Sequence, residues 1–270
     1  MATQTQTLPV PSVGILTPAL SLWWREIVRF YRQRSRVVGV IASPVLFWIV
    51  IGSGFGTSFR GGSGPGNQHY LDYFFPGALI MIVLFTSIFT MMSVIEDRKE
   101  GFLLSVLVAP VHRSVIVLGK VLGGTTLSAV QGLIFLAFAP ALGVHFGLAQ
   151  FGLIVLAVFL VSFALTALGF AIAWPMDSTQ GFHAVINLGL IPLWLLSGAL
   201  FPLSGASGWM RLLMRINPLT YGVEALRDLL FPGSAAFSVT TSLVVLVGFS
   251  WVMFALAFAI ANRRTTRPAA

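Results

Sequence analysis

Six stretches of nearly unbroken apolar residues dominate the chain, roughly 37 to 56, 73 to 95, 121 to 141, 151 to 173, 182 to 203 and 239 to 261. Each is close to the ~20 residues that carry a helix across ~30 Å of hydrocarbon at ~1.5 Å per residue. None shows the period-two alternation of a barrel strand, and a backbone in lipid must satisfy its own hydrogen bonds, so each is read as a helix. The predicted fold is all-α: a polytopic membrane protein whose six transmembrane helices occupy residues 37–261.

Between and before these runs the pattern changes. The opening MATQTQTLPVPSVG is polar and broken by proline, so residues 1–19 are expected to form a disordered tail, with a second short tail at 262–270. Over residues 20–36, Leu20, Trp23, Ile27, Phe30 and Tyr31 recur at helical spacing while Arg25, Arg29, Arg32 and Arg36 take another face. That predicts an amphipathic helix lying on the inner leaflet. The loop from Glu96 to Lys120 opens with Glu96, Asp97, Arg98, Lys99 and Glu100 and continues through Phe102, Leu103 and Leu107 to Pro110. Its apolar part is too short to span and suits a groove on a soluble partner, so Asp at positions 102 and 103 is expected to abolish complex formation and leave insertion intact. Residues 204–236 predict two short amphipathic helices separated by Asn217 and Pro218, at the outer interface or dipping inward. Arg211, Arg215, Tyr221, Glu224 and Arg227 are their candidate functional residues, with Glu224, Arg227 and Asp228 spaced for internal ion pairs.

Composition fixes the solvent. The chain is 57% hydrophobic and 9% charged, against about 25% charged in soluble domains, and its mean hydropathy is +0.92. Too little polar surface remains to coat a water-soluble particle. This excludes a free cytosolic enzyme, a disordered chain and a soluble nucleic-acid binder, despite a net charge of +8. The basic residues instead mark the cytoplasmic side and its anionic lipid. With the N-terminus inside, Arg25, Arg29, Arg32, Arg34, Arg36, Arg98, Lys99, Arg113, Lys120, Arg263, Arg264 and Arg267 lie inside, and Arg60, Arg211, Arg215 and Arg227 outside. That distribution, with an even number of spans, places both termini in the cytoplasm, a position 104 thiol labelling from inside and a position 210 thiol from outside. The connector Trp174 to Gly181 fits least well, since it carries only Asp177. Residues 1–20 hold no Lys or Arg, so the first span is expected to be retained rather than cleaved as a signal.

Candidate chemistry within the spans is sparse. No Asp or Glu lies inside any proposed span, which disfavours ion-coupled transport. Gln131, Thr166, His183 and Asn187 are candidate pathway residues, although bonding to water or a neighbouring carbonyl is the simpler role for the last two. Gly124, Ser128 and Gly132 form a stripe for close helix packing. His69, His112, His145 and His183 fall on different loops or span ends, and cysteine is absent, so neither a zinc site nor a catalytic triad can be assembled. No GxxxxGK[ST] motif occurs, since Ser114 and Val121 stand where it needs glycine and Ser or Thr. Three functions remain at this point: a permease driven by another polypeptide, an ATP-independent channel or scaffold, and a lipid-modifying membrane enzyme. The lack of paired acid and base groups argues against the last.

Two stretches carry a resemblance. DRKEGFLLSVLVAPVHRSVIVLGK, Asp97 to Lys120, resembles the loop of type-2 ABC exporter permeases, and FPLSGASGWMRLLMRINPLTYGVEALR, Phe201 to Arg227, is similar to the outer signature of the same family. The branch it most resembles contains the daunorubicin-resistance and nodulation-factor export permeases. Leu104 and Ser105 depart from the charged pair common in relatives. The resemblance implies a non-catalytic permease of a bacterial inner membrane, dimeric and most simply a homodimer, bound to two separate ATP-binding subunits that carry ATP and Mg. It also implies that Glu96 to Ala109 is the coupling helix, that residues 20–36 form the connecting elbow, and that the cargo is an amphiphile: a drug, a lipid-linked saccharide or a glycolipid.

Overall fold

The computed structural model describes residues 14–54, 70–109 and 111–262. Residues 1–13, Arg60, His69, Pro110, Arg263, Arg264 and Arg267 lie outside them, as do the side chains of Arg34 and Arg36. Among the described residues the structure is helical throughout, without strands.

Helix α1 (Leu16–Arg32) begins four residues before the expected Leu20 and ends at Gln33, whose backbone leaves the helical region, so Arg34 already belongs to α2 (Arg34–Gly54). Helix α3 (Tyr70–Thr90) resumes after Met91 as α4 (Met92–Lys99), and a short turn leads to α5 (Phe102–Val108). Helix α6 (Arg113–Leu136) is followed by a 3-10 turn at Ala139–Leu142, then by α7 (Leu148–Ala173) and α8 (Thr179–Leu195). The short helices α9 (Gly208–Ile216) and α10 (Pro218–Leu230) precede α11 (Val239–Asn262).

Helix α3 is the core. Phe74, Phe75, Leu79, Ile80, Ile82 and Val83 are fully buried, because α2, α6, α7 and α10 all pack around it. The Gly124–Ser128–Gly132 stripe faces Thr166 and Thr90 at one end and Val83 and Val158 at the other, which confirms its packing role. Helix α11 leans on α7 and α10 by one face only.

Side-chain contacts sort the helix ends into two layers. Trp48 Nε1 donates to Leu71 O at 3.0 Å and its ring packs on Phe75 and Phe135, which puts the end of α2 with the start of α3 and the end of α6. At the opposite layer, Arg98 bonds Met176 O at 2.9 Å and Arg113 bonds Ala261 O at 3.4 Å. The layer that collects residues 96–113 and 174–178 thus also holds the end of α11.

Among the described residues four stretches are long and apolar enough to cross a membrane: Tyr70–Lys99, Arg113–Leu142, Leu148–Ala173 and Val239–Asn262. Helix α8 has 17 residues, about 25 Å at the helical rise. The expected fifth span to 203 stops short because Leu196 to Pro202 turn away, with Gly198 at φ +78.

Candidate functional site

The polar chemistry gathers where α1, α4 and α6 meet. Helix α1 buries Ala19, Leu22, Glu26 and Phe30, a stripe that includes one carboxylate. It reaches α6 so closely because that helix offers glycine: a Cβ at Gly119 would lie 2.6 Å from Leu22 Cβ, and one at Gly123 would lie 2.8 Å from Glu26 Cβ. Trp23 Nε1 adds a 3.0 Å bond to Thr126 Oγ1.

Seated there, Glu26 meets Lys120 and Ser93. Lys120 Nζ donates to Glu26 Oε1 at 2.6 Å, to Ser93 Oγ at 3.0 Å and to Asp97 Oδ2, and Ser93 Oγ donates to Glu26 Oε2 at 2.7 Å. Asp97, fully buried, also accepts both arms of Arg25 at 2.9 and 2.7 Å and Arg29 Nη1 at 2.7 Å. Arg29 Nη2 reaches Glu96 at 2.7 Å. The cations Lys120, Arg25 and Arg29 thus each meet carboxylates, Glu26 and Asp97 at the buried centre, Glu96 beside them and Glu100 at the exposed margin 3.9 Å from Arg29, and paired charge of this kind tolerates burial. The bonds from Asp97 hold the Arg25 guanidinium more firmly protonated than an ordinary arginine.

This cluster positions α5. Gly101 turns the chain at φ +77, a left-handed conformation that a side chain resists. Phe102 then lies beneath the Arg25 guanidinium, 3.7 Å from its ring centroid, and Leu103 packs into the core. Leu104 (63% exposed), Leu107 and Val108 (86%) are left facing outward. Arg98, on the other side of α4, bonds Asp177 at 3.1 Å as well as the carbonyls of Met176 and Trp174, which explains the lone acid in that connector.

The predicted residues therefore separate. Glu96, Asp97, Arg25 and Arg29 come together, Arg98 joins the neighbouring connector, Glu100 is exposed at the margin, and Arg32 is exposed and away from the cluster. Phe102 and Leu103 are packed against the bundle rather than presented, so Asp at those positions would strike the fold. Glu26, Ser93 and Lys120 were not singled out from sequence. The signal was available in Glu26, a carboxylate in the apolar stripe of an amphipathic helix, which demands a buried partner.

The four candidate pathway residues do not meet. Gln131 and Thr166 are buried between α3, α6 and α7, where Gln131 pairs with Thr86 at 2.6 Å and Thr166 bonds Ser162 O at 2.7 Å. His183 lies half-buried beside Phe89 with ring centroids 5.2 Å apart, and Asn187 is exposed on α8.

At the opposite layer, α9 and α10 form a hairpin that enters the bundle. Asn217 caps α10 by accepting from Leu219 N at 3.0 Å and donates to Leu193 O at 2.6 Å. Gly222 packs against Val161 and Ile80, midway along α7 and α3, while Leu229 O receives Gln150 at the start of α7. Glu224 and Arg227 form a buried ion pair; Arg227 also bonds Gly198 O at 2.8 Å and stacks on Tyr73. Asp228 does not join them and accepts instead from Gly233 N at 3.1 Å. Arg211 bonds the carbonyls of Leu203, Ser204 and Ala206, Tyr221 bonds Arg215 O, and the Arg215 side chain is exposed. Among the described residues no group of His, Asp and Glu could hold a metal ion.

A family profile described as ABC-2 type transporter matches residues 18–231, which contain both the charge cluster and the hairpin. The chain is 28% identical to ycf38 of Cyanophora paradoxa, over 94% of this chain and 92% of the relative. It is 23% identical to the daunorubicin resistance ABC transporter permease protein DrrB1 of Streptomyces coeruleorubidus, over 82% and 77%. With the inner membrane transport permease YadH of Escherichia coli it shares 24% identity over 90% of this chain and 94% of the other.

Proposed function

Because the chain belongs to the ABC-2 type transporter family, we propose that this transmembrane permease subunit exports an amphiphile through alternating access driven by two separate ATP-binding subunits. The carrying observation is α5: a short helix that shows Leu104, Leu107 and Val108 to solvent while Phe102 on its other side is covered by Arg25 of α1 and Leu103 is buried in the core. A helix of this kind suits the apolar groove of a soluble partner and converts the partner's movement into movement of the bundle, because Phe102, Arg25, Asp97 and Lys120 form an unbroken line of contact to α6. Nucleotide acts on the permease only by binding the assembly differently in its inward- and outward-facing states, and α5 is where that difference enters.

In this reading α2 and α8 cross with the four longer stretches to give six spans, and both termini share the cytoplasmic layer with α5. Helix α1 is the connecting elbow, docked on α6 rather than free on the leaflet. A second permease copy, a homodimer in the simplest case, completes the pathway in a bacterial inner membrane. The cargo is a drug, a lipid-linked saccharide or a glycolipid, in keeping with the apolar composition of the chain.

The test is co-purification with an ATP-binding subunit, sought first in the neighbouring reading frame. Leu104→Asp with Val108→Asp is expected to abolish retention of that subunit and transport-coupled ATP hydrolysis, while the variant still inserts and keeps its melting temperature. Retention and hydrolysis at the level of the unaltered chain would refute the reading.

A further inference from the structure

Arg215 ends in no partner among the described residues, and it stands at an unfavourable place for a free cation. The other charges of the hairpin are committed: Arg211 to three carbonyls, Glu224 to Arg227 and Ala236 N, Arg227 also to Gly198 O, and Asp228 to Gly233 N. Arg215 lies two residues before the Asn217 tip, which bonds Leu193 O. One turn beyond that tip, Gly222 touches the middle of α3 and α7. The Arg215 side chain is therefore exposed part-way along the bundle rather than at its end. In lipid, a guanidinium at that level is costly unless an anion or water meets it.

The exposed residues that flank it say what kind of anion fits. Leu212 and Ile216 lie next to Arg215 round the helix, with Trp209 and Leu213 beyond them, while Met210 and Met214 turn inward against Leu203, Ala206 and Phe237. One cation bordered by an apolar strip is complementary to a ligand with one negative headgroup and a hydrocarbon tail. The tail covers Leu212 and Ile216, and the headgroup forms a charge-assisted pair with a planar donor fork. A small inorganic anion would itself have to give up its water at that level, whereas an amphiphile carries its headgroup on a tail that the hydrocarbon accommodates.

We propose that Arg215 and the α9 strip form a site for an anionic amphiphile bearing a phosphate or carboxylate. Resident anionic lipid and an exchangeable amphiphile share this chemistry. The site rests on the membrane reading of the chain and not on the ATP-driven cycle, so it can be tested without the partner subunits.

The full chain is reconstituted in phosphatidylcholine nanodiscs with phosphatidylglycerol at a fixed fraction, and lipids retained on release are counted by native mass spectrometry. Phosphatidylglycerol is expected to be retained over phosphatidylcholine, with Arg215→Gln weakening that preference about fivefold and Arg215→Lys keeping most of it. Added dodecyl phosphate is expected to displace phosphatidylglycerol where equimolar inorganic phosphate does not. Displacement marks a site open to exchangeable amphiphiles, and persistence of the lipid against dodecyl phosphate would overturn that part of the proposal. Equal retention by Arg215→Gln, as when a carboxylate of a second copy answers the arginine, would overturn the site itself. Equal displacement by inorganic phosphate would overturn the amphiphile assignment. A thiol at position 215 supplies a readout independent of lipid counting: a charged, membrane-impermeant reagent is expected to modify it and to spare thiols at 212 and 216.

Discussion

Lys120 holds the charge cluster together: its ammonium bonds Glu26 of α1 and Ser93 and Asp97 of α4 at once, with almost no solvent contact. Removing one partner of a buried ionic group costs about 3–5 kcal/mol because the remaining charge keeps its desolvation penalty. Lys120→Met is therefore expected to lower stability in detergent by about that amount, and adding Glu26→Gln should recover part of it; thermal unfolding of the single and double variants checks both. Gln131 poses the opposite case. Thr86 Oγ1 has one proton and lies 2.8 Å from Ile82 O, so it keeps a partner when Gln131 is removed, and Gln131 Nε2 already lacks one. Gln131→Met is expected to shift stability by less than about 1 kcal/mol and to leave transport unchanged. A selective loss of transport would return Gln131 to the pathway.

At the scale of elements, what matters is the seating of α1 and the direction of α5. Helix α1 is held at glycine contacts where a larger side chain has no room, so Gly123→Val is expected to lift it from α6 and expose its buried stripe to protease, while α6 itself still inserts. Limited proteolysis of membranes reads this directly. The turn into α5 is as specific. Gly101→Ala puts a Cβ at φ +77 and should cost about 1 kcal/mol, seen as weaker binding of the partner subunit rather than global unfolding. Helix existence was legible because runs of apolar residues and the Asn217–Pro218 break obey local rules. The facing of Leu103 against Leu104 was not, since seven helical residues carry too little periodicity to choose a side, and the choice is made by Arg25 from a segment 77 positions earlier in sequence.

Over the whole molecule, the two layers give a topology that single thiols can read on the cysteine-free chain. A thiol at 104 is expected to label from the cytoplasm and one at 209 from outside; position 209 is the better outer probe because Trp209 is exposed whereas Met210 packs inward. Labelling of both from one side would overturn the arrangement. The sequence by itself determined the solvent, the helical class and the approximate helix boundaries, because burial in lipid imposes length and composition on each stretch independently of its neighbours. Only the tertiary structure decided that Glu26, Asp97 and Lys120 join Arg25, Arg29 and Glu96 in one ion-pair cluster, that Gln131 and Thr166 are buried between α3, α6 and α7, and that the α9–α10 hairpin enters the bundle with Arg215 left exposed. Those outcomes depend on which distant helices meet and at what height, and a charge is stable or costly according to the partner that arrives from elsewhere in the chain.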